Sequence, residues 1–564
     1  MQELDLFTEQ AEYIEKDAFE KWTTTHIDEE LYIKKLSQGG AKLIVGPRGC
    51  GKTTLMLKTY YSCLKTKTTL GVYVNFKSSL KLEPLYKKES SAQYWFNQWM
   101  LLKVVEGLLE TLDTLNKKRP WKGKYIKKKI SRSLNFLEMG RIDLFKSEDS
   151  ITIEDIVSEI EFSLENSKRK RCVILLDDAA HAFSNQQQQD FFEFFRQIRR
   201  KNISPKAAVY PGVTNYSPSF HIGHDAEEID VWMRPNNDGY IEFMHSILKS
   251  RFNGNIYSKL TSDISLLNLL CYSAYGSPRL LLNMVARLCK DTSNGDEDIE
   301  ITDFHSQKVI KSIKDSFRNT YNVYESLRVK LPMYSQFIDV GEKVFENMLT
   351  ILKDFNRNHR SSPSKQSSII AIKRHIPSEF EKVLGFFQYA GLISPMAPNN
   401  RGEKGVYELF EIHSAAIIDR NVFFSRNAIS KEDYCLAFSN KTTRLIPQHS
   451  VESIVGGDNV SKIFNLSLPP CSVCKTPRVS ENAKFCSHCG AYLTEASVFE
   501  DIVQQDIEVL PITRERAATI KKHSKIRTIK DILMDYDNSE LQSVTMIGPF
   551  WCKKIKSYAE EVIV

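Results

Sequence analysis

Apolar positions along the chain change period several times, and each change predicts an element. Residues 42–46 (KLIVG) form a short unbroken apolar run, the pattern of a buried strand. A stretch with apolar side chains at helical spacing follows, LMLKTYYSCL at 55–64. A second apolar run, Cys172–Leu176 (CVILL), and a third within AAVYPGVTNY return the strand pattern. Strands alternating with helices predict an α/β core. Between Lys77 and Lys170 the pattern is helical (AQYWFNQWMLLKVVEGLLETL, then SITIEDIVSEIEFSLEN), an insertion whose apolar face packs on that core. From about Phe337 to Arg420 the order is helix, Ser/Pro-rich loop (RSSPSKQSS) and the amphipathic helix SEFEKVLGFFQYAGLI. Then LISPM and VYELFEIH flank the turn PNNRGEKG as a β-hairpin.

Composition narrows the class. With 564 residues, 42% hydrophobic and 26% charged, the chain is of ordinary globular make-up, enough for roughly three to four domains. No run approaches the ~20 apolar residues of a membrane helix. The N-terminal MQELDLFTEQAEYIEKD is too acidic and polar for a secretory signal, so a cytoplasmic protein without membrane contact is expected. The net charge of +7 is mild, but Lys117–Arg132 (KKRPWKGKYIKKKISR) holds nine basic residues and no acidic one. Such a run either grips a phosphate backbone or is a solvated helical face. Of eleven cysteines, four fall between Cys471 and Cys489, and the rest are scattered, several in apolar runs. That distribution fits buried thiols in a reducing compartment plus one metal site.

Chemistry enters at Gly46–Thr54, GPRGCGKTT, a G-x-x-x-x-G-K-T between a strand and a helix. This is the P-loop pattern. Gly46, Gly49 and Gly51 let backbone N–H groups turn inward onto phosphate oxygens, with Pro47, Arg48, Cys50 and Thr54 completing the cradle. The helix N-terminus adds positive potential there. Lys52 is placed for the β and γ phosphates of ATP, and the Thr53 hydroxyl for Mg²⁺. The run CVILL ends in Asp177 and Asp178. Asp177 is the expected Mg²⁺ partner, and Asp178 stands where many such ATPases carry a water-activating glutamate.

The order P-loop, DD strand, AAVYPGVTNY and AYGSPRLLLNMVARL resembles the AAA+ ATPases, in their origin-recognition or STAND-like branches, over roughly residues 30–315. The resemblance implies a γ-phosphate sensor at Thr214 or Asn215, and a second sensor, Arg279, in the lid motif Gly276-Ser277-Pro278-Arg279. It also makes IDVWMRPNNDGYIEFMHSILKSRF the last core strand and the first lid helix. AAA+ rings usually carry an arginine between the first sensor and that strand, but YSPSFHIGHDAEEI has His221 and His224 instead. Hydrolysis completed by a neighbouring subunit is therefore not expected, although self-association stays open. Asp178 in place of glutamate predicts slow turnover.

Three further segments follow. Helices leading into a hairpin look like a winged helix, which initiator-type AAA+ proteins carry here. Arg401 and Lys404 at the hairpin tip are then candidate phosphate contacts, the alternative being a module used only for packing. Cys471, Cys474, Cys486 and Cys489 form C-x₂-C, eleven residues, C-x₂-C, the ligand set of a closed structural Zn²⁺ site, and CGAYL makes it look like a zinc ribbon. Val509–Val564 resembles helix-hairpin-helix domains such as the RNA polymerase α C-terminal domain. Ile547-Gly548-Pro549 matches the hairpin and Lys554-Ile555 the next helix, while Met546 and Phe550 depart from it. Ten basic residues there face seven acidic ones, which suits either DNA backbone or a protein partner.

The expected fold is thus an α/β P-loop NTPase core (1–240, insertion 77–170) with a helical lid (241–330). A winged helix (331–425), a linker (426–465), a zinc ribbon (466–495) and a small all-α helix-hairpin-helix domain (500–564) follow. The expected function is an ATP-hydrolysing, double-stranded-DNA-binding switch using ATP, Mg²⁺ and Zn²⁺. The alternative is a STAND-like signalling or defence ATPase whose C-terminal modules sense a ligand.

Overall fold

The computed structural model describes residues 11–563, apart from 15, 25, 78–81, 83–90, 116–126, 179–184, 253, 291–299, 302, 426–428, 441–444, 458–462, 465–469, 472, 479–482, 484, 492, 494–501, 513, 536–537 and 546. Most of the basic run (117–126) and Met546 therefore lie outside the described residues.

Helices α1 (Lys16–Trp22) and α2 (Glu29–Leu36) precede strand β1 (Lys42–Val45), α3 (Lys52–Lys65) and β2 (Thr69–Asn75). The insertion supplies α4 (Ala92–Thr114), α5 (Lys127–Glu138) and α6 (Ile153–Ser167). Strand β3 (Arg171–Asp177), α7 (Asn185–Gln197), β4 (Ile203–Val209) and β5 (Glu227–Asp230) complete the unit. All five strands are parallel, in the order β2-β3-β4-β1-β5. Burial on both faces explains why β3 is apolar from Cys172 to Leu176 without alternation; β4 is buried along its whole length too, although it carries Ser204 and Lys206. Because the strands run parallel, with β4 between β1 and β3, the carboxyl ends of all three open onto one edge, where open parallel sheets bind ligands. Helix α4 covers one face, its Gly107 so close to β2 that a Cβ would strike the Tyr73 carbonyl oxygen.

Next come α8 (Tyr240–Arg251), α9 (Gly254–Thr261), α10 (Ile264–Ala274) and α11 (Pro278–Ala286), the last begun by a Ser277 cap with proline in the first turn. A two-residue pair, β6 (Cys289–Lys290) with β7 (Glu300–Ile301), leads to α12 (Ser306–Lys330). Then follow α13 (Ser335–Arg357), β8 (Ile369–Lys373), α14 (Ser378–Ala390), β9 (Ile393–Asn400), β10 (Val406–Ile412) and α15 (Ser414–Asp419). Strand β10 pairs antiparallel with β8 and β9, and Arg401 and Lys404 sit at the β9–β10 tip.

One hydrophobic core runs through all of these helices without a break at residue 330. Tyr324 of α12 shows why: its hydroxyl donates to the Ile338 carbonyl at 3.0 Å, and its ring lies 5.2 Å from that of Phe387. Residues 426–465, expected as a linker, instead give α16 (Lys431–Phe438), β11 (Gln448–His449) and α17 (Val451–Val455). A Ser430–Asp433 capping box starts α16, Lys431 pairs with Asp263, and Tyr434, Phe438 and Ile454 join the same core. Elements this short carry too few turns for periodicity to reveal them. The C-terminal helices α18 (Arg514–His523), α19 (Ile529–Met534), α20 (Ser539–Gln542) and α21 (Pro549–Ile563) enclose a separate core around Ile520, Ile529 and Ile555. No described helix is long and apolar enough to cross a membrane.

Glu411 of β10 is buried among these elements, its carboxylate 3.4 Å from the Ser368 hydroxyl and its backbone carbonyl bonded by the Tyr275 hydroxyl at 2.8 Å. Burial pushes its pKa up to about 7. An acid raised on folding stabilises fully below its unfolded pKa, and that contribution is lost as pH rises towards the folded value. Relative to the wild type, Glu411→Gln should therefore gain on the order of 2 kcal/mol in thermal melts at pH 8, with little gain at pH 5.

Candidate functional site

The loop between β1 and α3 turns through two left-handed glycines, Gly49 (φ 83°) and Gly51 (φ 99°), Gly51 forming the N-cap of α3. Neither angle suits a side chain with Cβ. Gly46 is required for another reason, since a Cβ there would lie 2.6 Å from the Cys50 sulfur. The turn that starts α11 lies against this loop. The Ser277 hydroxyl lies 3.4 Å from the Gly49 carbonyl, and a Cβ at Gly49 would meet that hydroxyl at 2.9 Å and Arg279 at 3.6 Å. A cleft results, lined by Arg48, Gly49, Gly51, Lys52, Thr53, Thr54, Asp178 and Arg279.

Lys52 is 5% exposed, and its ammonium donates to the carbonyls of Gly46 (2.7 Å) and Pro47 (2.9 Å). It also sits over the ring of Tyr210, 3.7 Å from the centroid. Burial lowers its pKa, opposed by Cys50, Asp178 and Asp177. At the end of β3, the Asp177 carboxylate accepts from the Tyr73 hydroxyl at 2.9 Å and from the Asp178 N–H at 3.0 Å, with the Thr53 hydroxyl close enough to favour its charged form. Burial raises its pKa, with the negative charges of Asp178 and Glu12 adding to the effect. Asp178 adopts a left-handed φ of 53° and accepts from the Tyr210 hydroxyl at 3.1 Å. Thr53, Asp177 and Asp178 thus offer hard oxygen donors beside a phosphate cradle, a set that fits Mg²⁺.

The two candidate sensors on the segment after β4 lie elsewhere. Thr214 closes a turn, its hydroxyl donating to the Tyr210 carbonyl (2.8 Å) and accepting from the Tyr210 N–H (3.0 Å). Asn215 bonds the Asn185 side chain at 2.6 Å and Gln188 of α7. The residue of this segment that meets Lys52 and Asp178 is Tyr210, the first past β4. Arg279 does reach the cleft, on the side of Glu12. His221 and His224 are exposed, the latter 3.2 Å from Asp225.

Several cleft residues gave no sequence signal. Glu12, paired with Lys77 at 3.4 Å, comes from the segment before the core and carries a pKa raised by burial. Trp22, Thr23 and Thr24 line the cleft opposite Ile247, Arg251 and Leu282 of the lid, and the Arg251 guanidinium sits 5.6 Å from the Trp22 ring. No motif links positions so distant in sequence.

In the tail, the Cys471, Cys474, Cys486 and Cys489 thiols all lie within 4.8 Å of one another. Lys475 (φ 60°) and Gly490 (φ 70°) make the left-handed turn that follows each pair. Four converging thiols fit tetrahedral Zn²⁺ with no open position. In the C-terminal unit, Ile547 is buried, the Cys552 N–H bonds the Gly548 carbonyl at 3.0 Å, and Arg516 lies 3.4 Å from the Trp551 ring centroid. Lys554 flanks the same ring at 5.3 Å.

Two outcomes follow from this geometry. Lys52→Ala should weaken Mg-ATP binding at least about a hundredfold in a fluorescent-nucleotide titration, since a buried charge-assisted contact is lost. The purified chain should hold one Zn²⁺ by elemental analysis, and Cys486→Ser should lose it and expose residues 471–493 to protease while leaving ATP binding intact.

Residues 6–147, which include the phosphate loop, match the family model described as ORC-CDC6-like. No curated protein matches the chain. Among solved structures, the chain is similar to Cdc6p from Pyrobaculum aerophilum at 13% identity, covering 72% of this chain and 98% of that one with a TM-score of 0.29. It is also similar to the Aeropyrum pernix Orc1 protein, solved in complex with DNA, at 13% identity over 71% of this chain and 92% of that one with a TM-score of 0.28.

Proposed function

We propose that this chain is an ATP-driven switch of the initiator-like AAA+ kind that binds double-stranded DNA. The observation that carries the nucleotide half is the convergence of Lys52, Thr53, Asp178 and the lid residue Arg279 on one cleft, with Asp177 buried beside Asp178. The ORC-CDC6-like match over the same loop supports the class. In this reading the loop N–H groups and Lys52 hold the phosphates, and Arg279 joins the lid to them. Thr53 and Asp177 orient Mg²⁺, which would neutralise phosphate charge when bound. Asp178 accepts the proton of an attacking water, and its short side chain and its bond to Tyr210 both favour slow turnover.

The DNA half rests on chemistry spread along the chain. Arg401 and Lys404 stand at the tip of a hairpin that we propose is the wing of a winged helix. Lys127–Arg132 continue the basic run on α5, and Arg516 and Lys554 frame Trp551 in the proposed helix-hairpin-helix unit. The four-cysteine cluster is proposed as a structural zinc ribbon. A second reading, a ligand-sensing STAND-like ATPase, is favoured by the absence of arginine from YSPSFHIGHDAEEI.

Random-sequence duplex DNA, titrated with Mg-ATP, Mg-ADP or no nucleotide across a salt series, separates these readings. Affinity should fall steeply between about 50 and 200 mM salt, as counterion release requires, and should differ several-fold between ATP and ADP. Absence of binding at low salt in every nucleotide state would leave the ligand-sensing reading.

A further inference from the structure

Tyr210 stands where three parts of the chain meet. Its ring carries the Lys52 ammonium and its hydroxyl bonds Asp178. Its ring also meets Tyr389 of α14 edge-on, 5.6 Å between centroids at 67°. The backbone fixes this seat. The Arg48 N–H of the phosphate loop points at the Tyr389 carbonyl at 3.4 Å, and the Arg48 guanidinium lies beside the Tyr389 hydroxyl. Gly212, two residues past Tyr210, presses on Gly385, one helical turn before Tyr389. A Cβ at Gly385 would meet the Gly212 Cα at 2.6 Å, and a Cβ at Gly212 would strike the Gly385 backbone. The helix leading into the hairpin is therefore seated on the turn after β4 by contact of two bare backbones, and it touches the nucleotide loop through the Arg48 N–H.

We propose that Tyr210 is a positioning residue that makes the docking of α14 depend on the occupant of the phosphate loop, a role that rests on ATP binding there. The Lys52 ammonium already donates to two loop carbonyls and faces the Tyr210 ring. Terminal phosphates would take the ammonium away from that ring, and the Asp178 carboxylate would turn from the Tyr210 hydroxyl towards a cation held by Thr53 and Asp177. Tyr210 then loses both contacts that hold it against Tyr389, and the Gly212–Gly385 seat loosens. Linkage makes the effect reciprocal: whatever undocks α14 strengthens ATP binding.

Hydrogen exchange of residues 378–390, measured with and without Mg-ATP alongside ATP affinity on the same full-length protein, tests this. ATP should speed exchange of 378–390 in the wild type and in Tyr210→Phe, which keeps the ring, but not in Tyr210→Ala. Gly385→Ala wedges the seat while favouring the helix itself. It should exchange fast at 378–390 without nucleotide, stay protected at 335–357, and bind ATP about fivefold more tightly or better. Wild-type protein that binds ATP with no change at 378–390 would overturn the coupling and leave the nucleotide site standing, as would wild-type ATP affinity in a folded Gly385→Ala. Should Gly385→Ala lose protection at 335–357 as well, the Tyr210→Phe and Tyr210→Ala pair decides alone. Failure of the wild type to bind ATP would remove the proposed function and this coupling together.

Discussion

A buried ammonium is the constraint around which this molecule is arranged. Lys52 sits at the mouth of α3 almost wholly out of water, and a bare positive charge there is costly. Two loop carbonyls, the face of Tyr210 and the field of Asp177 and Asp178 meet that cost. Each partner belongs to a different element: the loop after β1, the end of β3 and the first residue past β4. Parallel strands put these groups on one edge, and the order β3-β4-β1 makes them neighbours.

The carboxylates pose the opposite problem. Asp177, Asp178 and Glu12 crowd one side of the cleft, and burial with mutual repulsion raises the pKa of Asp177. Hydroxyls from Thr53, Tyr73 and Tyr210 take up part of this charge, and Lys77 pairs Glu12. A divalent cation beside Thr53 and Asp177 would relieve the same repulsion, so the electrostatics that strain the site also prepare it for metal and polyphosphate.

Mechanical continuity runs from this cleft outwards. The lid and the helix–hairpin module share one apolar core, tied by Tyr324 and by the Tyr275 hydroxyl on the Glu411 carbonyl. Close-packed cores shift as units rather than deform smoothly. A movement of Arg279 would therefore be passed through this shared core to α14. The four-thiol cluster and the C-terminal helices each have their own small core, so their local folds do not depend on this cleft.

Local order made part of this legible from residues alone. The phosphate loop is nine consecutive residues whose chemistry is fixed by backbone conformation, so Gly49, Gly51, Lys52 and Thr53 could be named from spacing. Asp177 and Asp178 follow from a buried run ending in charge, and the four cysteines from paired knuckles. Tyr210 carries no such signal, because a tyrosine after a strand reads as core, while the polar residues of that segment are Thr214 and Asn215. Glu12, Trp22, Arg251 and Tyr389 carry no local pattern at all. The short helices of 426–465 were likewise hidden, since a few turns give no period. By itself the sequence determined the groups that share one turn of chain: the loop, the acidic strand end and the thiol pairs. Tertiary structure alone decided which distant side chains neutralise Lys52 and which helix rests on the loop. Those choices depend on burial and backbone contact between segments more than a hundred residues apart, and no local spacing encodes them.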